Sequence, residues 1–353
     1  MSHLPFQAFD SLATAYGQPI AEAQLKAQPQ DFRVEEVLGF ELEDEGEHLW
    51  LWLEKVGQNT DWLAKQLAKA LNLPISAIGY AGKKDRQAIT RQWFSVPLSP
   101  AREKHLWARL KTLPGVRCLK SQRHAKKCRI GDHLANRFQL ILRFDHELKA
   151  PIIEQLNQRL QQIKTFGFPN YFGKQRFGHA MQNLQQGIQL LQNPRSKIPR
   201  HLKGLYLSAV RSALFNEVLS HRLKLGNWQT PLSGEVPHPP EKCSTNESMA
   251  FYLTGPLLGD GDLGTEQAAL ALELAALKPF EKVWQGLKQA RLKPERRLLT
   301  CRPQSLSWQF SMDTTDLTKQ TKVQQTLHLQ FTLPKGSYAT LLVRELLKEK
   351  ECA

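Results

Sequence analysis

Gly79-Tyr80-Ala81-Gly82-Lys83-Lys84-Asp85-Arg86-Gln87-Ala88-Ile89-Thr90-Arg91-Gln92-Trp93-Phe94-Ser95-Val96 reads as a short strand, a glycine-bearing loop and a second strand rich in β-branched and aromatic residues. Working outward, the preceding residues from Thr60 place Leu63, Leu67, Ala70 and Leu71 at helical spacing, with Thr60 as the expected cap. Further upstream, Phe32–Val37 and His48–Leu53 alternate as strands, and Asp44-Glu45-Gly46-Glu47 between them predicts a hairpin turn. Downstream, a helix is expected over about 101–111, strands near 116–120 and over Phe138–Phe144, and a helix over Ile152–Ile163. Strands and helices mixed in this way predict an α+β fold, a mixed sheet with helices packed on it.

The pattern breaks at Phe166-Gly167-Phe168-Pro169, and a mostly helical stretch follows in which Leu207, Val210, Leu214, Val218 and Leu219 share a helical face. The chain turns irregular from Gly226 to Met249, and a polar stretch from Ser311 to Lys322 suggests a boundary. Strand alternation returns at Val323–Phe331, and Ser337 opens a terminal helix. The economical reading is an insertion: 1–166 and 313–353 form one domain, and 167–312 form a second.

The 353 residues carry 48 Lys and Arg against 33 Asp and Glu, a formal charge of +15, with an ordinary 41% hydrophobic content. Such an excess predicts a polyanionic partner, nucleic acid ahead of membrane surface. The charge is concentrated. Residues 102–129 hold ten Lys or Arg (102, 104, 109, 111, 117, 120, 123, 126, 127, 129) and one acid, Glu103, whereas 35–47 hold seven acids and no Lys or Arg. A phosphate-tracking surface is expected of the first block, and a loop turned away from the substrate of the second. No apolar run approaches the ~20 residues of a membrane span, and Met1–Phe6 has neither the cationic nor the apolar region of a leader. Five scattered cysteines without a CxxC pair predict free thiols, no metal centre and a cytoplasmic setting.

Within the opening stretch Asp85 is a lone acid among Lys83, Lys84 and Arg86, and neighbouring cations favour the ionised carboxylate. A loop that only held phosphates gains nothing from an anion at its centre; an enzyme that must bring a carboxylate to a polyanion does. Gly259-Asp260-Gly261-Asp262-Leu263-Gly264 matches a dinucleotide fingerprint, but two carboxylates facing pyrophosphate favour a plain turn before a helix, and no nucleotide cofactor is expected. Asn170-Tyr171-Phe172-Gly173-Lys174-Gln175-Arg176-Phe177-Gly178 interleaves rings, amides and cations, a composition suited to unpaired RNA bases or to a rigid hinge.

Gly82-Lys83-Lys84-Asp85 with Ala88, Thr90, Gln92 and Trp93, together with the 170–178 run, resembles the TruD family of tRNA pseudouridine synthases. Pro29-Gln30-Asp31-Phe32, Asn136-Arg137-Phe138, Arg211–Asn216 and Leu333–Thr340 extend the resemblance over almost the whole chain. The resemblance implies a catalytic domain with a family-specific insertion, tRNA as partner, no cofactor, and action on the thirteenth nucleotide in the D-arm. It implies Asp85 as nucleophile, Phe32, Asn136 and Tyr338 as substrate contacts (Tyr338 standing where the family often has Phe), and Lys26 and Phe138 as pocket residues. Lys84 and Arg176, cations of the two longest motifs, join them as substrate-binding candidates. A monomer is the default, and a non-catalytic RNA-binding or ribosome-assembly protein is the competing class. A methyltransferase is disfavoured by the lack of a credible cofactor loop.

Overall fold

The computed structural model describes residues 6–236, 238, 252–317 and 320–350. In chain order its strands are β1 (Ala21–Leu25), β2 (Phe32–Leu38), β3 (His48–Val56), β4 (Gly79–Tyr80), β5 (Ile89–Pro97), β6 (Val116–His124) and β7 (His133–Arg143). Then come β8 (Phe168–Pro169), β9 (Thr254–Leu257), β10 (Glu295–Leu298), β11 (Thr300–Cys301), β12 (Gln304–Leu317), β13 (Gln320–Pro334) and β14 (Leu347–Lys350). The helices are α1 (Thr60–Leu71), α2 (Glu103–Leu110), α3 (Ala150–Phe166), α4 (Gln182–Gln192), α5 (Arg200–Lys224), α6 (Gln267–Leu277), α7 (Glu281–Gln289) and α8 (Ala339–Leu346). The fold is α+β. Two compact units divide it: a sheet unit of 20–157, 303–336 and 347–353, and a helical unit of 1–19, 158–302 and 337–346.

In the sheet unit ten strands join, in the order β12-β13-β7-β2-β5-β3-β6, with β4 added to β5 and β1 bridging β7 and β14. The pair β2–β3 expected as a hairpin does not form. β5 lies between them, parallel to β2 (Val34↔Thr90) and antiparallel to β3 (Trp52↔Trp93). Thr90 and Gln92 through Val96 are buried on both faces of β5, the composition of an interior strand. One face of β3 and β5 packs on α1 and α2 through Leu49, Leu51, Leu53, Phe94 and Val96 against Leu63, Leu67, Leu71, Leu106 and Leu110. Full burial of each such side chain contributes about 1.5–3 kcal/mol.

The unit boundaries differ from those read in the sequence at 166/167 and 312/313. The polar stretch from Ser311 to Lys322 lies largely in the β12–β13 hairpin, where Ser311 pairs Thr326 and Leu317 pairs Gln320. Antiparallel strands need only backbone groups to pair, so polar composition there marked a long ribbon rather than a linker. After it, α8 belongs to the helical unit, and β14 returns to pair in parallel with β1.

In the helical unit α5 is buried over Leu207, Val210, Leu214, Val218 and Leu219. The glycine-rich turn at 259–264 follows β9, whose partner is antiparallel β10, so the parallel crossover of a dinucleotide fold is not formed here. A Cβ on Gly259 would stand 2.2 Å from the Leu292 carbonyl, which makes this glycine a packing requirement. Of the irregular stretch 226–249, residues 237 and 239–249 lie outside the described residues.

Candidate active site

The carboxylate of Asp85 sits on the loop between β4 and β5, and the backbone on either side of it is pinned. Gly82 O accepts from Gln92 Nε2 at 3.1 Å, and Lys84 N donates to Thr60 Oγ1 at 3.0 Å. Thr60 Oγ1 in turn donates to Gln92 Oε1 at 2.8 Å. Lys55 Nζ donates to Asp85 O at 3.3 Å and to Gln58 O at 2.7 Å. Thr60, Gln92 and Lys55 are all buried, so these bonds form out of water, where an unmet polar group is costly. Burial, reinforced by Lys84, pulls the Lys55 ammonium down to about 8. Asn59, not Thr60, caps α1, its side chain accepting from Trp62 N at 2.7 Å. Thr60 is thereby left to hold the loop.

The cations beside Asp85 in sequence are engaged with other groups. Lys83 pairs with Asp61 at 2.8 Å, Arg86 Nε donates to Gly57 O at 3.1 Å, and Lys84 turns inward to Glu36 at 2.6 Å. Lys26 pairs with the Asp85 carboxylate at 2.8 Å, with side-chain exposures of 16% for Lys26 and 31% for Asp85. Lys26 holds a left-handed backbone at φ 64°, a conformation that costs a non-glycine residue about 1–2 kcal/mol. Its ammonium lies 4.2 Å from the centroid of the Phe32 ring. Phe32 meets Phe138 edge-on at 6.2 Å, and Phe138 stacks on Phe331 at 5.4 Å.

Phe32 is placed by the turn before it. Asp31 accepts from Gln28 N at 3.1 Å, closing the turn, and takes Arg143 in a two-bond fork at 2.9 and 2.7 Å. Both partners are buried, the setting in which bidentate guanidinium geometry is strongest. Asn136 faces Glu36 across the β2–β7 ladder. Its Oδ1 is buried without a protein hydrogen-bond partner.

Six of the eight residues proposed from sequence therefore lie in the sheet unit. Asp85, Lys26, Phe32 and Phe138 form one chain of contacts, while Lys84 reaches Glu36, opposite Asn136. Tyr338 and Arg176 belong to the helical unit. There Tyr338 meets Phe172 edge-on at 6.4 Å, and Arg176 Nε donates to Ser212 Oγ at 3.1 Å. A Cβ on Gly173 would touch the Tyr338 ring at 3.0 Å. Arg297 lies 4.1 Å above Phe172 and donates to Asn170 O and Oδ1 at 3.0 and 2.6 Å. Burial brings the Arg297 guanidinium down to about 10 and pushes the Tyr338 phenol up. The 170–178 run thus builds a rigid aromatic base, with Tyr171 and Phe172 buried.

Sequence reasoning missed Glu36, Lys55, His133 and Arg297. The acidic block 35–47 is not turned away as a whole: Glu36 lies under the loop, and Glu43 approaches His124 at 3.1 Å. Glu36 alternates with Phe32 and Val34 on β2, so strand parity placed it on the face that carries the site. The basic block spans α2, β6 and the residues flanking them, and eight of its ten cations are exposed. β6 ends the seven-strand path of the sheet, where charge also discourages edge pairing. Its Arg117 is level with Glu54 and Arg91, toward the Asp85 end of β5.

Among the described residues no helix is long and apolar enough to cross a membrane, and no cluster of His, Cys, Asp and Glu is arranged to hold a metal. The profile of the family described as tRNA pseudouridine synthase D (TruD) matches residues 12–193 and 179–346. A curated tRNA pseudouridine synthase D from Hydrogenovibrio crunogenus is 42% identical over 96% of each chain. Another from Nitrosococcus oceani is 39% identical over 96% of this chain and 94% of its own. The crystal structure of a putative tRNA pseudouridine synthase D from Methanosarcina mazei shares the fold, with a TM-score of 0.68, 19% identity, and coverage of 98% of this chain and 96% of that one. The chain belongs to the TruD family of tRNA pseudouridine synthases.

Proposed function

We propose that Asp85 is the carboxylate that acts at C1′ of the target uridine in tRNA. The family reaction breaks the N1–C1′ bond, turns the uracil and joins C5 to C1′; C5 loses a proton and N1 gains one, so the product is an isomer and no electrons are exchanged. Positive charge develops at C1′ as the first bond breaks, and a carboxylate can attack that carbon, as retaining glycosidases do. The observation that carries this reading is the loop itself: Asp85 keeps a partly open carboxylate while the backbone at Gly82, Lys84 and Asp85 is fixed by buried partners. Positioning of that kind is where an enzyme gains most.

Around it, Phe32 offers a ring for the extruded uracil, and the unpartnered Asn136 amide offers a buried acceptor for the uracil N3–H. Lys26 pairs with the carboxylate at 2.8 Å, Phe138 backs the Phe32 ring, and Lys84 supports the loop from beneath. Tyr338 is assigned to substrate contact by the family pattern, Arg176 to RNA contact as a cation of the 170–178 motif, and residues 167–312 to the family insertion. The same pattern points to the thirteenth nucleotide, in the D-arm. A monomer working in the cytoplasm without nucleotide cofactor fits this reading.

Asp85→Asn keeps the shape and removes the reactive charge. Purified variant should form no pseudouridine in prefolded tRNA while tRNA binding stays within a few fold. Near wild-type product from the variant would refute Asp85 as the reacting carboxylate and leave another group to act at C1′.

A further inference from the structure

Ile130 stands 71% exposed at the tip of a turn built to keep it there. The turn runs from Arg129 to Asp132, with Asp132 N donating to Arg129 O at 3.1 Å. Gly131 takes the positive φ of 93° that the third position of such a turn requires. Its N–H donates to Ala81 O at 2.8 Å, and its carbonyl accepts from Lys335 Nζ at 2.7 Å. The flanking residues follow the strand that feeds the catalytic loop. A Cβ on Gly79 would lie 2.4 Å from Cys128 O, and one on Gly82 would lie 3.3 Å from His133 Cε1.

A large apolar side chain is thus strapped to the backbone leading to Asp85 and still aimed at solvent. Leu134, 59% exposed, follows at a bulge in β7, where Leu38↔His133 and Val37↔Ala135 leave it as the extra residue. Bulges of this kind re-aim a side chain. Exposed cations lie on the same segment and beside it: Lys126, Arg129 and Lys335. Apolar tip with cationic flanks matches a stacked nucleic acid, whose bases are apolar on their faces and whose phosphates run alongside.

We propose that Ile130, with Leu134 following it, is a wedge that enters the base stack as the target uridine leaves it. Arg129 and Lys335 then take the flanking phosphates. The proposal rests on the assignment of Asp85 above, because extrusion matters only if the uridine must reach that carboxylate. Unstacking costs free energy, and an apolar side chain left in the gap offsets it and keeps the base from returning.

The test is Ile130→Ala in the full chain, assayed on prefolded tRNA and on the same RNA with the base pair of the target uridine removed by mismatch. The variant should keep its melting temperature, since the side chain packs on little. It should lose roughly ten- to a hundredfold in kcat/KM on the native tRNA, and come within about threefold of wild type on the mismatched RNA. A 2-aminopurine placed next to the target should brighten with wild type and with Asp85→Asn, and remain quenched with Ile130→Ala. Equal activity of variant and wild type on native tRNA, or equal impairment on both RNAs, would overturn the wedge. Failure of the Asp85 assignment shows differently: Asp85→Asn then forms pseudouridine at near wild-type rate, while the fluorescence still reports whether Ile130 unstacks the site.

Discussion

Glu36→Gln asks whether the charge beneath the Asp85 loop holds it in place. The Glu36 side chain is wholly buried and that of Lys84 is 8% exposed, with Nζ and Oε1 at 2.6 Å. The second carboxylate oxygen accepts from Trp93 N at 3.0 Å. At an effective dielectric of ~20, two unit charges at that spacing attract by about 6 kcal/mol. Several kcal/mol of lost hydration per ion oppose this, so the intact pair nets little. Removing one partner is different. Glutamine keeps the shape and the Trp93 bond but leaves the Lys84 ammonium buried and uncompensated, a loss of about 3–5 kcal/mol. For a unit of 150–250 residues this lowers Tm by about 6–20 °C.

Lys84→Met should cost a similar amount at pH 8, since Glu36, whose carboxyl burial already raises, loses its counter-ion. That cost should shrink as the pH is lowered and the carboxyl takes a proton. The double variant Glu36→Gln/Lys84→Met buries no charge and should recover at least ~2 kcal/mol relative to the sum of the singles. Urea and thermal unfolding followed by circular dichroism supply all four corners of the cycle. Single variants within about 0.5 kcal/mol of wild type, or a strictly additive double, would refute the reasoning.

Three further outcomes can be measured. Burial, with Lys84 and Lys335 beside it, brings the imidazole of His133 down to about 4. Between pH 6.5 and 4 the unfolded chain therefore takes a proton that the folded one refuses, and stability should fall by about 2–3 kcal/mol as pH is lowered through that window; His133→Gln should flatten this part of the urea-midpoint profile. Glu345 has the opposite sign: burial raises its carboxyl to about 7, so its contribution is full below its unfolded value of about 4.5 and is lost as pH rises through 7. Glu345→Gln should equal wild type near pH 4.5 and exceed it by about 1–3 kcal/mol at pH 8, as read by urea unfolding. For tRNA binding, four phosphate contacts from the basic block give a log K against log salt slope near −3 to −4, and Lys104→Ala with Arg109→Ala should reduce it by up to about 2; an unchanged slope would place the RNA elsewhere.

Periodic elements were legible because apolar residues repeat with the geometry of the element. Leu63, Leu67 and Leu71 on α1 and the alternation at Phe138–Phe144 on β7 need no partner to be recognised. Partnership was not legible. Phe32–Val37 and His48–Leu53 are neighbours in sequence with a turn between them, yet β5, from residues 89–97, separates them in the sheet. Gln92-Trp93-Phe94-Ser95-Val96 carries no polar alternation because both faces of β5 are buried. Gly79 and Gly82 look like turn formers in the sequence, whereas a side chain on Gly79 would collide with Ser95 and Cys128. Close approach leaves no periodic trace.

The same distinction governs the charges. Lys83, Lys84 and Arg86 stand next to Asp85 in sequence, and adjacency suggested that they set its field. In the structure they pair with Asp61, Glu36 and Gly57 O, and Lys26, just past the end of β1, also reaches the carboxylate. That one ammonium touches both the Asp85 carboxylate and the Phe32 ring. On the roles proposed for Asp85 and Phe32, a sugar arriving at the first and a uracil at the second would meet the same cation. Under that proposal, substrate entry and the exposure of the carboxylate are coupled through the position of Lys26. Its left-handed backbone holds it where both contacts are made, so the coupling is a property of the chain and not of the order in which sugar and base arrive.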